Sequence, residues 1–257
     1  MPNILVIDTS TEACSVALQV ESHGFDNQSQ PQVYHSYQVA PRQHGELVLP
    51  LVDDLLKQAG IKLIDLDVIG YGRGPGAFTG LRICISIVQG LAYGANVPVV
   101  GVSTLQAMAQ AAYQERGETH VLSAIDARMG EVYWGQYRLE SEATGVMQLV
   151  GEEVVCAPEN VTAQVAQSSN PQVAEVINPI YWSVGSGWQT YSKILSDAAK
   201  VSMVIEPEVT FPSAKAMLSL VQYEFERGKA VAAEFAQPVY LRNDVAKKKA
   251  EQGKLAK

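Results

Sequence analysis

Two short apolar runs, each closed by an aspartate and each followed by a returning strand, constrain this chain more than any other feature. Asn3-Ile-Leu-Val-Ile-Asp8 reads as a buried strand, Thr9-Ser-Thr-Glu-Ala13 as a turn, and Cys14-Ser-Val-Ala-Leu-Gln-Val20 as a second strand. The pattern restarts at Val121-Leu-Ser-Ala-Ile-Asp126, with Glu131-Val-Tyr-Trp-Gly-Gln-Tyr137 returning. Ile7-Asp8 and Ile125-Asp126 thus read as equivalent points of a duplicated unit. Strands and helices mixed around two antiparallel starts point to a two-lobed α/β protein.

After a polar loop at 23–32, residues 33–39 alternate as a third strand. Residues 42–59 carry the helical stripe Leu47, Val48, Leu51, Leu55 and Ala59, with Pro50 expected to kink or loosen the helix. A strand over 66–72 runs into the glycine-rich turn Gly72-Arg-Gly-Pro-Gly-Ala-Phe-Thr79. A helix over 79–96, a strand over 97–102 and a helix over 104–115 follow. Beyond the repeat the pattern predicts a helix over 158–167, a strand over 181–184 before Gly185-Ser-Gly187, and a helix over 213–228. The tail from Lys247 holds Lys247, Lys248, Lys249, Lys254 and Lys257 with little apolar content, and reads as disordered.

With 257 residues the chain has room for one large or two small domains and a core that needs no disulfide or metal staple. Charged residues make up 18%, below the ~25% of an average globular protein, which suggests apolar surface kept for a partner. Cys14, Cys84 and Cys156 are odd in number and far apart, which argues against a disulfide framework or a zinc cage. No apolar run of ~18 residues and no secretory signal is evident, so the expectation is a cytoplasmic protein without membrane contact. The net charge of −8 argues against binding nucleic acid through bulk charge.

The glycine turn, lying between a strand and a helix, is suited to present backbone N–H groups to an anion. It lacks the lysine of a Walker A loop, and the tight turn is the first reading of it, the phosphate site the second. Asp8 and Asp126 could hold a metal–phosphate between two lobes, or accept turn hydrogen bonds as strand-end aspartates do. Ser103 lacks the second glycine of a nucleophile elbow, and His23, His35, His44 and His120 are scattered. The residues therefore offer a fold able to bind a phosphate, without an assembled catalytic set. In the helix over 79–96, Ser86, Gly90 and Gly94 form one small-residue face, with Ile83, Ile87, Val88 and Leu91 around it.

Five ordered segments resemble the bacterial TsaB (YeaZ) family: Ile7-Asp-Thr-Ser-Thr-Glu-Ala-Cys-Ser-Val-Ala17, Tyr71-Gly-Arg-Gly-Pro-Gly-Ala-Phe-Thr-Gly-Leu-Arg82, Gly101-Val-Ser-Thr104, Ile125-Asp-Ala-Arg-Met-Gly-Glu-Val-Tyr-Trp134 and Pro238-Val-Tyr-Leu-Arg-Asn243. The likeness runs from the start to about Asn243, is weaker over 139–181, and does not include the 23–32 loop or the lysine tail. It implies a duplicated, two-lobed actin-like fold of the sugar kinase and Hsp70 (ASKHA) type. The expected lobes are residues 1–106 and 107–246, with the tail at 247–257. It also implies a role in making threonylcarbamoyladenosine beside the tRNA anticodon.

In that system the catalytic subunit is a paralogue, TsaD, whose metal is held by an H-x-x-x-H pair. Thr104 and Met108 stand where those histidines would be, and neither suits such a metal. The resemblance therefore implies a non-catalytic scaffold without cofactor that binds and activates TsaD. A TsaE-like ATPase belongs to the same complex, tRNA is met through the complex, and the chain forms a homodimer when alone. The expected partner interface is Leu47, Leu51 and Leu55 of the first helix with Ile83, Ser86, Ile87, Gly90, Leu91 and Gly94 of the second. The alternative is an ATP-binding phosphotransferase or ATPase of the same fold, with Asp8, Gly74, Gly76 and Thr79 at the phosphates. A protease, needing a nucleophile or metal pair that is not found, ranks third.

Overall fold

The computed structural model describes residues 1–21, 31–164, 180–200, 204–205 and 209–242. Most of the polar loop, the end of the helix expected over 158–167, and the lysine tail lie outside these residues. The first sheet is built from β1 (Ile4–Asp8), β2 (Ala13–Val20), β3 (Gln32–Val39), β4 (Val68–Gly74) and β5 (Val99–Ser103), in the order β3-β2-β1-β4-β5. The second is built from β6 (His120–Arg128), β7 (Glu131–Leu139), β8 (Met147–Cys156), β9 (Tyr181–Val184) and β10 (Val204–Ile205), in the order β8-β7-β6-β9-β10. The senses repeat as well. The first two strands of each sheet pair antiparallel, and so do the second and third, while the first pairs parallel with the fourth and the fourth with the fifth.

The helices are α1 (His44–Ala59), α2 (Phe78–Ala95), α3 (Thr104–Arg116), α4 (Ser186–Ala199) and α5 (Ala214–Glu226). Local chemistry sets several ends. The Ser103 hydroxyl accepts the Gln106 N–H and caps α3, while α1 stops at Gly60 and α3 at Gly117, both left-handed. Every residue of β1 and β2 is buried, because both faces of the sheet are covered. Leu5, Ile7, Cys14, Val16 and Leu18 point into a core shared with α1 and α2, whereas Ile4, Val6 and Ala17 point into one shared with α5. Period-two alternation between two dry faces produces the continuous apolar runs seen in the sequence.

The two longest-range helix placements are crossed. α3 follows the first sheet in the chain but packs on β6, β7, β8 and β9, and α5 follows the second sheet but packs on β1, β2, β4 and β5. The two helices also pack on each other. α3 is continuous across residues 106 and 107, the expected division between the lobes.

The structure departs from the sequence pattern, or adds to it, at several places. Residues 158–167 do not form a helix over their described part: only Pro158–Asn160 makes a 3-10 turn. Side chains of β7 take up the backbone groups that follow, with the Trp134 indole donating to the Thr162 carbonyl at 3.2 Å and Gln136 bonding both the Gln164 N–H and carbonyl. α1 continues through Pro50, and both Pro50 and Glu46, whose carbonyl loses its helical partner, face solvent. α2 is long and apolar enough by length and composition to cross a bilayer, but Leu81, Cys84, Ile85, Val88 and Ala92 are buried in the manner of a core helix. β8 and α4 were absent from the sequence pattern altogether: Gly151, Glu152 and Glu153 interrupt the alternation of β8, and α4 has a non-helical break at Tyr191.

Candidate functional site

The two strand-end aspartates sit in equivalent turns and do similar local work. Asp8 is fully buried and accepts the Ser10 N–H at 3.1 Å and the Ser10 hydroxyl at 3.0 Å. Burial, only partly offset by those bonds, pushes its pKa up to about 6. Asp126 accepts the Arg128 N–H at 2.8 Å and the Arg128 guanidinium at 3.3 Å. Its own N–H donates to the Ser186 hydroxyl at 3.2 Å. The turn-aspartate reading thus accounts for both. The glycine loop packs directly onto the first of these turns. A Cβ at Gly72 would stand 1.8 Å from an Asp8 oxygen, and one at Gly76 would stand 2.2 Å from the Ser10 carbonyl. The Ala77 N–H donates to that same carbonyl at 2.7 Å.

Between the sheets lies a cleft of about 760 Å³, walled by Gly76, Ala77 and Phe78 on one side and by Asp126, Arg128 and Ser186 on the other. Its charged groups are spent on each other. Arg128 reaches across to Glu12 at 3.2 Å, and Arg242 pairs with Glu131 while donating to the Arg128 carbonyl at 3.3 Å. Of the four candidate phosphate contacts, Gly76 lines this cleft, Asp8 and Gly74 are buried away from it, and Thr79 lies in a separate groove. They do not form one surface. Glu12, Arg128 and Arg242 were not singled out from the sequence, although all three lie inside the family-like segments. Their pairing joins residues 116 and 111 positions apart, which no local pattern reveals.

The outer side of α2 is differently built. Ser86, Gly90 and Gly94 are exposed, and nothing lies within 4 Å of where a Cβ would sit on either glycine. Ile83, Ile87 and Leu91 are half-buried beside them, as are Leu47 and Leu51 of α1. Leu55 turns inward and belongs to the core, so it offers no contact surface. Tyr93, 84% exposed, and Phe78, 55% exposed, extend the patch.

This geometry can be set beside known proteins. The model of the TsaD family, described as tRNA N6-adenosine threonylcarbamoyltransferase, matches residues 31–251. A protein of Escherichia coli named tRNA threonylcarbamoyladenosine biosynthesis protein TsaB is 44% identical over 96% of this chain and 97% of its own length. The chain belongs to the TsaB family. A TsaB of Haemophilus influenzae is 37% identical over 96% of each chain. The solved structure of YeaZ from Pseudomonas aeruginosa superposes with a TM-score of 0.77 at 40% identity, covering 94% of this chain and all of that one.

For a TsaB family member the interior matters as much as the cleft. Thr104 and Met108, the positions that the family resemblance sets against a histidine pair, are both fully buried. Met108 packs with Leu105, Val121 and Tyr137, and among the described residues the Thr104 hydroxyl has no hydrogen-bond partner. A hydroxyl and a thioether in a dry core do not fit a hard metal centre. Among the described residues no three His, Cys, Asp or Glu side chains gather to hold a metal. Next to Thr104, the Ser103 and Tyr137 hydroxyls both donate to Glu153, and burial raises the Tyr137 pKa well above its usual value. The buried thiols of Cys14 and Cys84 are also pushed up by burial, which makes them poor nucleophiles.

Proposed function

We propose that this TsaB-family chain is a non-catalytic subunit in tRNA threonylcarbamoyladenosine biosynthesis, and that it binds and activates a TsaD-type catalytic subunit in the cytoplasm. In this reading it is a duplicated, two-lobed molecule of the actin-like type, its lobes dividing near residue 106, and the repeated strand order supports the duplication. The interface is the outer face of α2 with the exposed side of α1. The observation that carries the reading is the stripe Ser86, Gly90 and Gly94, which is exposed and leaves room for another backbone, with half-buried Ile83, Ile87 and Leu91 alongside. Burying such apolar area favours association by roughly 25 cal/mol per Å² before ordering costs. Left uncovered, the same stripe pairs with its copy, so homodimer and heteromer compete. A TsaE-like ATPase and tRNA join through the complex.

Reconstitution of tRNA modification with and without this chain, all other components fixed, tests the role. Modification should fall to background without it. Gly90→Leu places a branched side chain where backbones meet, and should abolish binding to the TsaD-type subunit, self-association and stimulation together. Because the site is open, the variant should stay folded. A variant that binds and stimulates like the wild type would show that another surface is used.

A further inference from the structure

At the N-terminal end of α2 the exposed face carries a prearranged cation. The Arg82 guanidinium carbon stands 3.8 Å from the centre of the Phe78 ring, and its Nε donates to the Tyr240 hydroxyl at 3.3 Å. Phe78 and Tyr240 themselves lie 5.5 Å apart, centre to centre. Tyr240 is fixed in turn, because the preceding Val239 N–H donates to the Arg73 carbonyl at 2.7 Å. Among the described residues no carboxylate pairs with Arg82. Beside it opens a shallow groove of about 460 Å³ whose apolar walls are Phe78, Ile83 and Ile87. A stacked arginine has already given up much of its conformational freedom, so less is lost when it meets a planar anion.

We infer that Arg82, held by Phe78 and Tyr240, is the specificity anchor of the α2 face: it takes a carboxylate from a helix of the TsaD-type subunit, whose neighbouring aliphatic side chain fills the groove. The inference rests on the interface reading above and adds the chemistry of the partner. Charge favours the partner over a second copy at the centre of the face. α2 contains Arg82 and no acidic residue, so an α2-on-α2 pair of two copies brings Arg82 no carboxylate from the facing helix. A second copy supplies one only if Glu46, Asp53 or Asp54 of its α1 reaches Arg82, which the homodimer measurement below detects. An acid-bearing partner completes the site.

The test measures binding of the full chain to the TsaD-type subunit by calorimetry at low and high salt, and self-association by sedimentation. Arg82→Gln should weaken the heteromer roughly tenfold and Arg82→Glu further still, with a flattened salt dependence, as expected for a charged hot-spot residue. The homodimer should be unchanged. An acid-to-arginine change on the partner that restores binding to Arg82→Glu would identify the carboxylate. If Arg82 variants bind as the wild type while Gly90→Leu does not, the anchor is wrong and the face is right. If neither change matters, the interface reading itself fails. Equal weakening of the homodimer would make a second copy the occupant, and loss of tRNA retention with intact partner binding would make it a phosphate. Either result overturns the inference.

Discussion

Single residues in this chain are constrained by what stands opposite them. Asp8 has a higher pKa in the fold than in the unfolded chain, where a carboxyl titrates near ~3.9. Between about pH 4 and 6 the folded form therefore holds a proton that the unfolded form has released, and this group's contribution to stability falls as pH rises through that window. The loss amounts to ~3 kcal/mol, complete above the folded pKa. Asp8→Asn should remove this slope, so between pH 4.5 and 7.5 urea melts should show the wild type losing ~2 kcal/mol relative to the variant. Parallel curves would mean that Asp8 is solvated. At Gly76 the obstacle is the Ser10 carbonyl, a backbone atom that cannot rotate away. Gly76→Ala should cost ~1–3 kcal/mol in the same melts.

At the scale of elements, α2 has two unlike sides. The inner side is core. The outer side carries Gly90 in the helix interior, where a glycine costs roughly 0.5–1 kcal/mol relative to alanine, and Gly94 in the last turn. Gly90→Ala has space and should raise stability by about that much, read as a higher melting temperature. A drop would mean that Gly90 touches something within its own chain. Elements with a regular period were legible from sequence, including α1, α2, α3 and α5 to within two residues at either end. Those shaped by tertiary contacts were not. Residues 162–164 form no helix, with Trp134 and Gln136 claiming backbone groups of Thr162 and Gln164, and Pro158 by itself resembles a helix start.

For the whole molecule, the crossed helices make each sheet depend on a segment from the other half. The inner face of the first sheet, with Ile4, Val6, Val68, Val100 and Val102, is covered by Met217, Leu218 and Val221 of α5. A fragment of residues 1–106 lacks that cover and also cuts α3. It should fail to give a cooperative melt or a dispersed NMR spectrum, although it contains a complete five-stranded sheet. A folded monomeric fragment would show that α5 is dispensable. The full chain should melt in one transition, because α3 packs on strands of both sheets and on α5, which covers the first.

The sequence by itself determined what acts over a few residues: the apolar runs ending in Asp8 and Asp126, the cap at Ser103, the periodic helices, and the motifs that carry the family. It also held the small-residue stripe at Ser86, Gly90 and Gly94, because a helix repeats its faces every few positions. Only the tertiary structure decided which of those faces is open. It turned Leu55 inward, split Gly76 and Thr79 between two depressions, and buried Asp8 and Gly74. It also brought Glu12 to Arg128, Glu131 to Arg242, and Tyr240 to Arg82. The physical reason is range. Backbone propensity and side-chain period are local, while burial and charge pairing join positions more than a hundred residues apart and exist only once the sheets and the crossed helices have packed.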